Sequence, residues 1–172
     1  MTRKEIEAKL IKDLDKFEHL DTETFHKKFI GEEIGHGQYR YVYNLKNKLY
    51  KDYVVKFEQE EIPCCNITEY NLWSDLTSVK YFHKYFAPII VIGRGGKVIV
   101  QRRVTFKSLN KYPKQVPAFF EDLKVGNFGW IGRQFVCSDY GNHRYTYSFT
   151  KRLKKVKEWR LDTGYNVNHP GL

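Results

Sequence analysis

The chain has little of what would place it outside a reducing, aqueous compartment. Only three of its 172 residues are cysteines, Cys64, Cys65 and Cys137. Two are adjacent and the total is odd, so no disulfide framework is implied. No CxxC pair or Cys/His cluster has the spacing of a zinc site. Long apolar runs are also missing: the longest, "YFAPIIVIG", is too short to span a bilayer and contains Pro88. The opening "MTRKEIEAKLIKDLDKFEHL" is mixed in charge and lacks the apolar core of a signal peptide. Internal repeats, low-complexity tracts and clean linkers are absent too, and the length fits one domain over residues 1–172. These absences argue against a membrane protein and for a cytoplasmic one (host cytoplasm, for a virus-encoded chain).

Acidic residues are the other deficit. Against 20 Asp and Glu stand 30 Lys and Arg, a net charge of +10. Such a surplus suits nucleotides, nucleic acid, an acidic protein surface or anionic lipid, and does not choose among them. Hydrophobic residues, at 41%, and aromatics, at 16%, are plentiful enough for a packed core.

Periodicity gives an α+β order. Ile6, Leu10, Leu14 and Phe17 recur at helical intervals, and one N-terminal helix is expected within residues 1–28. "FIGEEIG", "RYVYNL" and "DYVVKFE" then read as an antiparallel three-strand meander, broken by the turns "GHGQ" and "KNK". Residues 66–82 read as a helix with Asn66 as N-cap and Glu69 completing a capping box. Two strands follow, "APIIVIG" and "VIVQRRV", giving five in all. Beyond them come a connector over 105–117, a brief helix starting in "VPAFFEDL", and a hairpin from "WIGR" and "QFVCSDYG". The tail offers a basic helix, "SFTKRLKKVKEWRL", with Leu153, Val156 and Trp159 at helical spacing, and then the irregular "DTGYNVNHPGL".

The richest polar stretch is "FFEDLKVGNFG", where Asp122, Lys124 and Asn127 follow D-x-K-x-x-N. A second acid, Asp139, stands in "CSDYG". Read alone, each could be a turn former. Read together they offer a carboxylate to accept a proton, an ammonium for developing charge, and two oxygen donors of the kind Mg²⁺ takes.

In this order the motifs resemble those of the protein kinase-like superfamily. "IGHGQYRYVY" resembles the glycine-rich loop over the ATP phosphates, with Gly35, Gly37 and Val42 matching and Arg40 where the third glycine would stand. "YVVKF" resembles V-A-I-K, "FEDLKVGN" resembles H-R-D-L-K-x-x-N, and "SDYG" resembles D-F-G. The resemblance covers roughly residues 30–141 and implies a kinase-like N-lobe over 29–104, a five-stranded antiparallel sheet plus one helix. A truncated C-lobe over 105–172 would carry the catalytic loop, metal-binding hairpin and basic helix. It implies Lys56 on the ATP phosphates with Glu69 as its ion-pair partner, Asp122 and Lys124 in catalysis, and Asn127 and Asp139 on Mg²⁺.

The departures are as informative. Phe120 and Glu121 replace the His and Arg of H-R-D. Too few residues separate the strands from Asp122 for the usual two helices, and too few follow Gly141 for the helical lobe. In this the chain is similar to short kinase-like proteins encoded by bacteriophages. The terminal helices, or self-association into a homo-oligomer, would then cover what the lost lobe covers elsewhere. The foremost expectation is an ATP- and Mg²⁺-dependent phosphotransferase acting on a hydroxyl, on a protein. A second is a kinase-like module that works by docking on a partner. A third is a nucleic-acid binder using the basic 151–160 helix and exposed aromatics.

Overall fold

In a computed structural model of the protein, residues 1–59, 64–141 and 149–161 are described. The single N-terminal helix is corrected to two. Helix α1 (Arg3–Phe17) opens with a capping box from Thr2 to Glu5. The chain then re-enters a helix at α2 (Thr22–Phe29), because the Asp21 carboxylate accepts from the Thr24 amide at 2.8 Å. An acidic N-cap satisfies an amide that the first turn leaves open.

Five strands form one antiparallel sheet: β1 (Ile30–His36), β2 (Arg40–Leu45), β3 (Tyr53–Glu58), β4 (Ile89–Gly93) and β5 (Val98–Arg102). Their order is β1-β2-β3-β5-β4. The architecture is therefore α+β around a five-stranded antiparallel sheet. Successive side chains of a strand point to opposite faces, and that alternation sorts this sheet. Tyr53, Val55, Val98 and Val100 pack with Leu10, Leu14, Phe25 and Phe29 of the N-terminal helices. Lys56 pairs in register with Val42 on one side and Ile99 on the other, so these three share the opposite face.

On that second face lie α3 (Cys65–Thr77) and the short α4 (Lys80–His83). The expected cap is corrected here. Cys64, not Asn66, is the N-cap residue, and it makes no side-chain capping bond. Glu58, at the end of β3, caps the helix from outside: it accepts from the Cys64 and Cys65 amides at 2.9 Å each and from Asn66 at 3.0 Å. A full negative charge on three orphan amides also meets the positive end of the helix dipole. Glu69 is thereby released for other work.

After β5 the chain forms only short strands: β6 (Gln115–Pro117), β7 (Phe128–Ile131), β8 (Gln134–Cys137) and β9 (Leu153–Lys155). The β7–β8 hairpin stands where expected. The brief helix in "VPAFFEDL" does not form, and the basic helix is corrected to a strand pairing with β6. Amides of Ala118 and Val156 bond the carbonyls of Arg152 and Lys114 at 2.9 Å, which takes the backbone groups a helix would use. Leu153 stays half exposed, whereas Val156 and Trp159 pack on the second core. That core is aromatic, with Phe86, Phe120, Phe128 and Tyr140 all buried. The irregular stretch expected over 162–172 lies outside the described residues. Among the described residues no helix is long and apolar enough to cross a membrane.

Candidate functional site

A cavity of about 690 Å³ lies between the β1–β2 hairpin and the turns that follow β6 and β8. Gly35, Gly37, Val42, Lys56, Asp122, Lys124, Asn127 and Asp139 all line it. Eight of the nine sequence-derived site residues are thus brought together, from segments as far apart as β1 and the end of the β7–β8 hairpin. The ninth, Glu69, stands behind Lys56.

Lys56 is buried, and its Nζ donates to Glu69 Oε1 at 2.6 Å and to the Ser138 carbonyl. Glu69 is wholly buried and fully engaged. Gln101 Nε2 also donates to its Oε1, at 2.9 Å, and Arg40 Nη1 donates to its Oε2 at 2.6 Å. Two cations and an amide therefore fix one carboxylate, which sets the ammonium of Lys56 against the cavity.

The loop wall is tied together through main chain. Ser138 and Asp139 amides both donate to the Asn127 carbonyl, at 2.7 and 3.4 Å. Asn127 Nδ2 donates to Asp122 Oδ2 at 3.0 Å, and Arg160 donates to Asp122 Oδ1. The tail is held there as a strand-like bridge, with the Val125 amide bonding the Arg160 carbonyl at 2.9 Å and the Arg160 amide bonding Leu123 at 3.0 Å. Amides of Ala87 and Cys137 bond the carbonyls of Cys137 and Tyr85 at 2.8 Å, anchoring the hairpin that delivers Asp139 to the sheet-side core.

Three contributors were not read from the sequence. Gln101 shares a face with Ile99, two residues earlier on β5, so alternation was the signal for it. Arg40 shares a face with Val42 in the same way. It was noted as a departure, but its partners are long-range: Asn66 Oδ1 at 3.2 Å, Glu69 and Asp139. Arg160 carried no such signal, because its stretch was read as a helix. Burial opposes the charge on Arg40, but Asp139 and then Glu69 outweigh it, so the guanidinium holds its proton more firmly than an ordinary arginine.

The donor set fits a polyanion. Arg40, Lys56 and Lys124 line the cavity with Asp122 and Asp139, whereas the Arg102 guanidinium lies over the Tyr53 ring and Arg103 donates to Lys51, Asn44 and Tyr53. A Cβ built on Gly35 would meet nothing within 4 Å, so the hairpin backbone can approach a ligand closely. For a divalent cation, Asp139 and Asn127 are the right chemistry, but Arg40 already binds Asp139 Oδ1. A second metal-capable group, Glu58, Cys64 and Cys65, has its ligand atoms within 4.8 Å of one another. Both Glu58 oxygens are already spent on the helix cap, and burial pushes the Cys65 thiol up to about 12. Comparison with protein-family models, with curated proteins and with solved structures finds no match to this chain.

Proposed function

We propose that this protein is a nucleoside-triphosphate-binding phosphotransferase of the protein kinase-like type, with a kinase-like N-lobe in residues 29–104 and a reduced C-terminal portion. One observation carries the reading: the Lys56–Glu69 pair, Asp122, Lys124, Asn127 and Asp139 converge on one cavity beneath a hairpin bearing Gly35 and Gly37. Phosphoryl transfer asks little covalent chemistry of a protein; it asks for positioning and charge neutralisation. Lys56, clamped by Glu69, neutralises the phosphates. Asp122, oriented by Asn127, accepts the proton of the incoming hydroxyl as its oxygen bonds to the γ-phosphorus and the bond to the diphosphate breaks. Lys124 meets the charge that develops on the transferred group. Asp139 and Asn127 have the donor chemistry to hold Mg²⁺, which would supply further neutralisation once Arg40 releases Asp139.

A second reading has its own observation. Asp122 is bonded by Arg160 and Asp139 by Arg40, so both acids of the site carry an arginine partner. A nucleotide-holding module that acts by docking on a partner would have this arrangement without turnover. The basic run expected to serve nucleic acid as a helix is a strand and a loop instead.

Thermal melting with ATP, with and without Mg²⁺, beside Lys56→Ala and Asp122→Ala tests the proposal. Saturating nucleotide raises stability by roughly 2.7 kcal/mol at a hundred times the dissociation constant. We expect a shift in the wild type and in Asp122→Ala, none in Lys56→Ala, and phosphorylated product from the wild type alone. A shift without product favours the docking module. No shift at all sinks the nucleotide reading.

A further inference from the structure

Arg40 occupies a place that deserves a function of its own. It begins β2, and alternation with Val42 turns it to the cavity face rather than to solvent. Its backbone is pinned, since its carbonyl accepts from the Gly37 amide at 2.7 Å. Its side chain is buried at 7% exposure, with Nη1 on Glu69 Oε2 and Asn66 Oδ1 and Nη2 on Asp139. The Asn66 oxygen is itself aimed, because the Nδ2 of the same amide donates to the Lys97 carbonyl at 2.9 Å and the Lys56 carbonyl at 3.3 Å. The Glu69 and Asn66 contacts are thus fixed from behind.

The charge balance follows. Arg40 and Lys56 bear two positive charges, Glu69 and Asp139 two negative, and the four form one hydrogen-bonded chain. Without Arg40, two carboxylates would share a single lysine, and the surplus negative charge would draw a divalent cation to Asp139. With Arg40 in place, an arriving cation meets a guanidinium that stays charged throughout the accessible pH range. At such separations the repulsion between the two cations disfavours the metal.

We propose that Arg40 is the resident cation of the site, holding Asp139 where a divalent metal would otherwise hold it. Polyphosphate then binds to protein cations, Arg40, Lys56 and Lys124, with no divalent ion required for entry. The polyphosphate half of this inference rests on the nucleotide reading above; the metal half does not.

Mn²⁺ alone, followed by its electron paramagnetic resonance signal, tests the metal half. The wild type is compared with Asp139→Asn, Arg40→Gln and Arg40→Gly, with folding checked by circular dichroism. We expect no Asp139-dependent Mn²⁺ site in the wild type. Arg40→Gln, which keeps a donor for Glu69 without the charge, should gain one at least about tenfold tighter than any wild-type binding, and adding Asp139→Asn should remove it. An Asp139-dependent site in the wild type as tight as in Arg40→Gln overturns the proposal, as does a folded Arg40→Gln or Arg40→Gly that gains nothing. Should neither variant fold, the wild-type comparison with Asp139→Asn still decides. Calorimetric titration of a non-hydrolysable ATP analogue tests the other half. In the wild type its affinity in EDTA should lie within about threefold of that in Mg²⁺. Binding that vanishes in EDTA overturns metal-free entry, and binding in neither condition sinks the nucleotide reading while leaving the Mn²⁺ result to stand.

Discussion

On one wall of the cavity, Arg40, Val42, Lys56 and Gln101 hang from a continuous antiparallel ladder whose register fixes each neighbour. On the other, Asp122, Lys124, Asn127 and Asp139 sit in turns between strands of three or four residues. The first wall takes its precision from backbone periodicity, and its charged side chains are buried. The second takes it from aromatic packing and individual hydrogen bonds. Tyr112, for example, donates its hydroxyl to the Val125 and Phe128 carbonyls at 3.2 Å while its ring meets Trp130 and Trp159. Stability and site geometry should therefore be inseparable on the sheet wall and separable on the loop wall.

The largest expected effect breaks that contrast most directly. Glu69→Ala leaves Lys56 and Arg40 buried with a counter-charge removed, and should cost about 3–5 kcal/mol in urea denaturation. Asp122→Ala, on the loop wall, loses a partly exposed pair with Arg160 and should cost no more than about 1 kcal/mol. Equal losses would show that the two walls are held in the same way after all.

A smaller effect separates two glycines. Gly141 lies where the loop wall touches the helix behind the sheet wall: a Cβ there would stand 2.6 Å from the Cys65 carbonyl oxygen and 3.2 Å from Glu69 Oε2. Gly141→Ala must push α3 away and should cost about 1–3 kcal/mol. Gly35→Ala projects into open space and should leave stability within about 0.5 kcal/mol, while weakening the proposed nucleotide binding because Gly35 lines the cavity. If Gly35→Ala proves the more destabilising of the two, the packing account of this junction is wrong.

The same contrast decides what could be read in advance. The five strands were legible because alternation and turn residues are local signals, whereas the register that puts Lys56 beside Val42 is a property of the folded sheet. The loop residues were legible only as a motif; nothing in "FFEDLKVGNFG" says that Asn127 turns its amide to Asp122. Glu69 was assigned two roles at once, and the ion pair is the one it fills, because Glu58 at the end of β3 takes over the cap. The tail misled for a physical reason: "KRLKKVK" satisfies helical spacing as well as strand alternation, and only the edge offered by Gln115–Pro117 settles it. Charge partners separated by 99 residues, such as Arg40 and Asp139, leave no mark on local pattern at all.

The smallest expected effect sharpens the comparison through two histidines, one in each core. His26 of α2 packs on Phe57 and Tyr43, with ring centroids 4.8 and 5.6 Å away. His83 of α4 stacks on Trp73 at 3.6 Å, and its Nε2 is buried with no hydrogen-bond partner among the described residues. Burial lowers both from the ordinary histidine value of about 6.5, and Arg94 adds to the lowering at His26. A folded-state pKa below the unfolded one means that the unfolded chain takes up protons first. Stability is therefore complete above about pH 6.5, falls as pH drops below it, and levels off once the folded histidines also protonate. Thermal melts from about pH 7.5 to about pH 5 should show this decline, ahead of any carboxylate titration. His83→Gln should flatten it more than His26→Gln, because the unpartnered Nε2 has no acceptor to receive a new proton. A profile flattened more by His26→Gln would place the less forgiving core behind the N-terminal helices instead of among the aromatics that carry the loop wall.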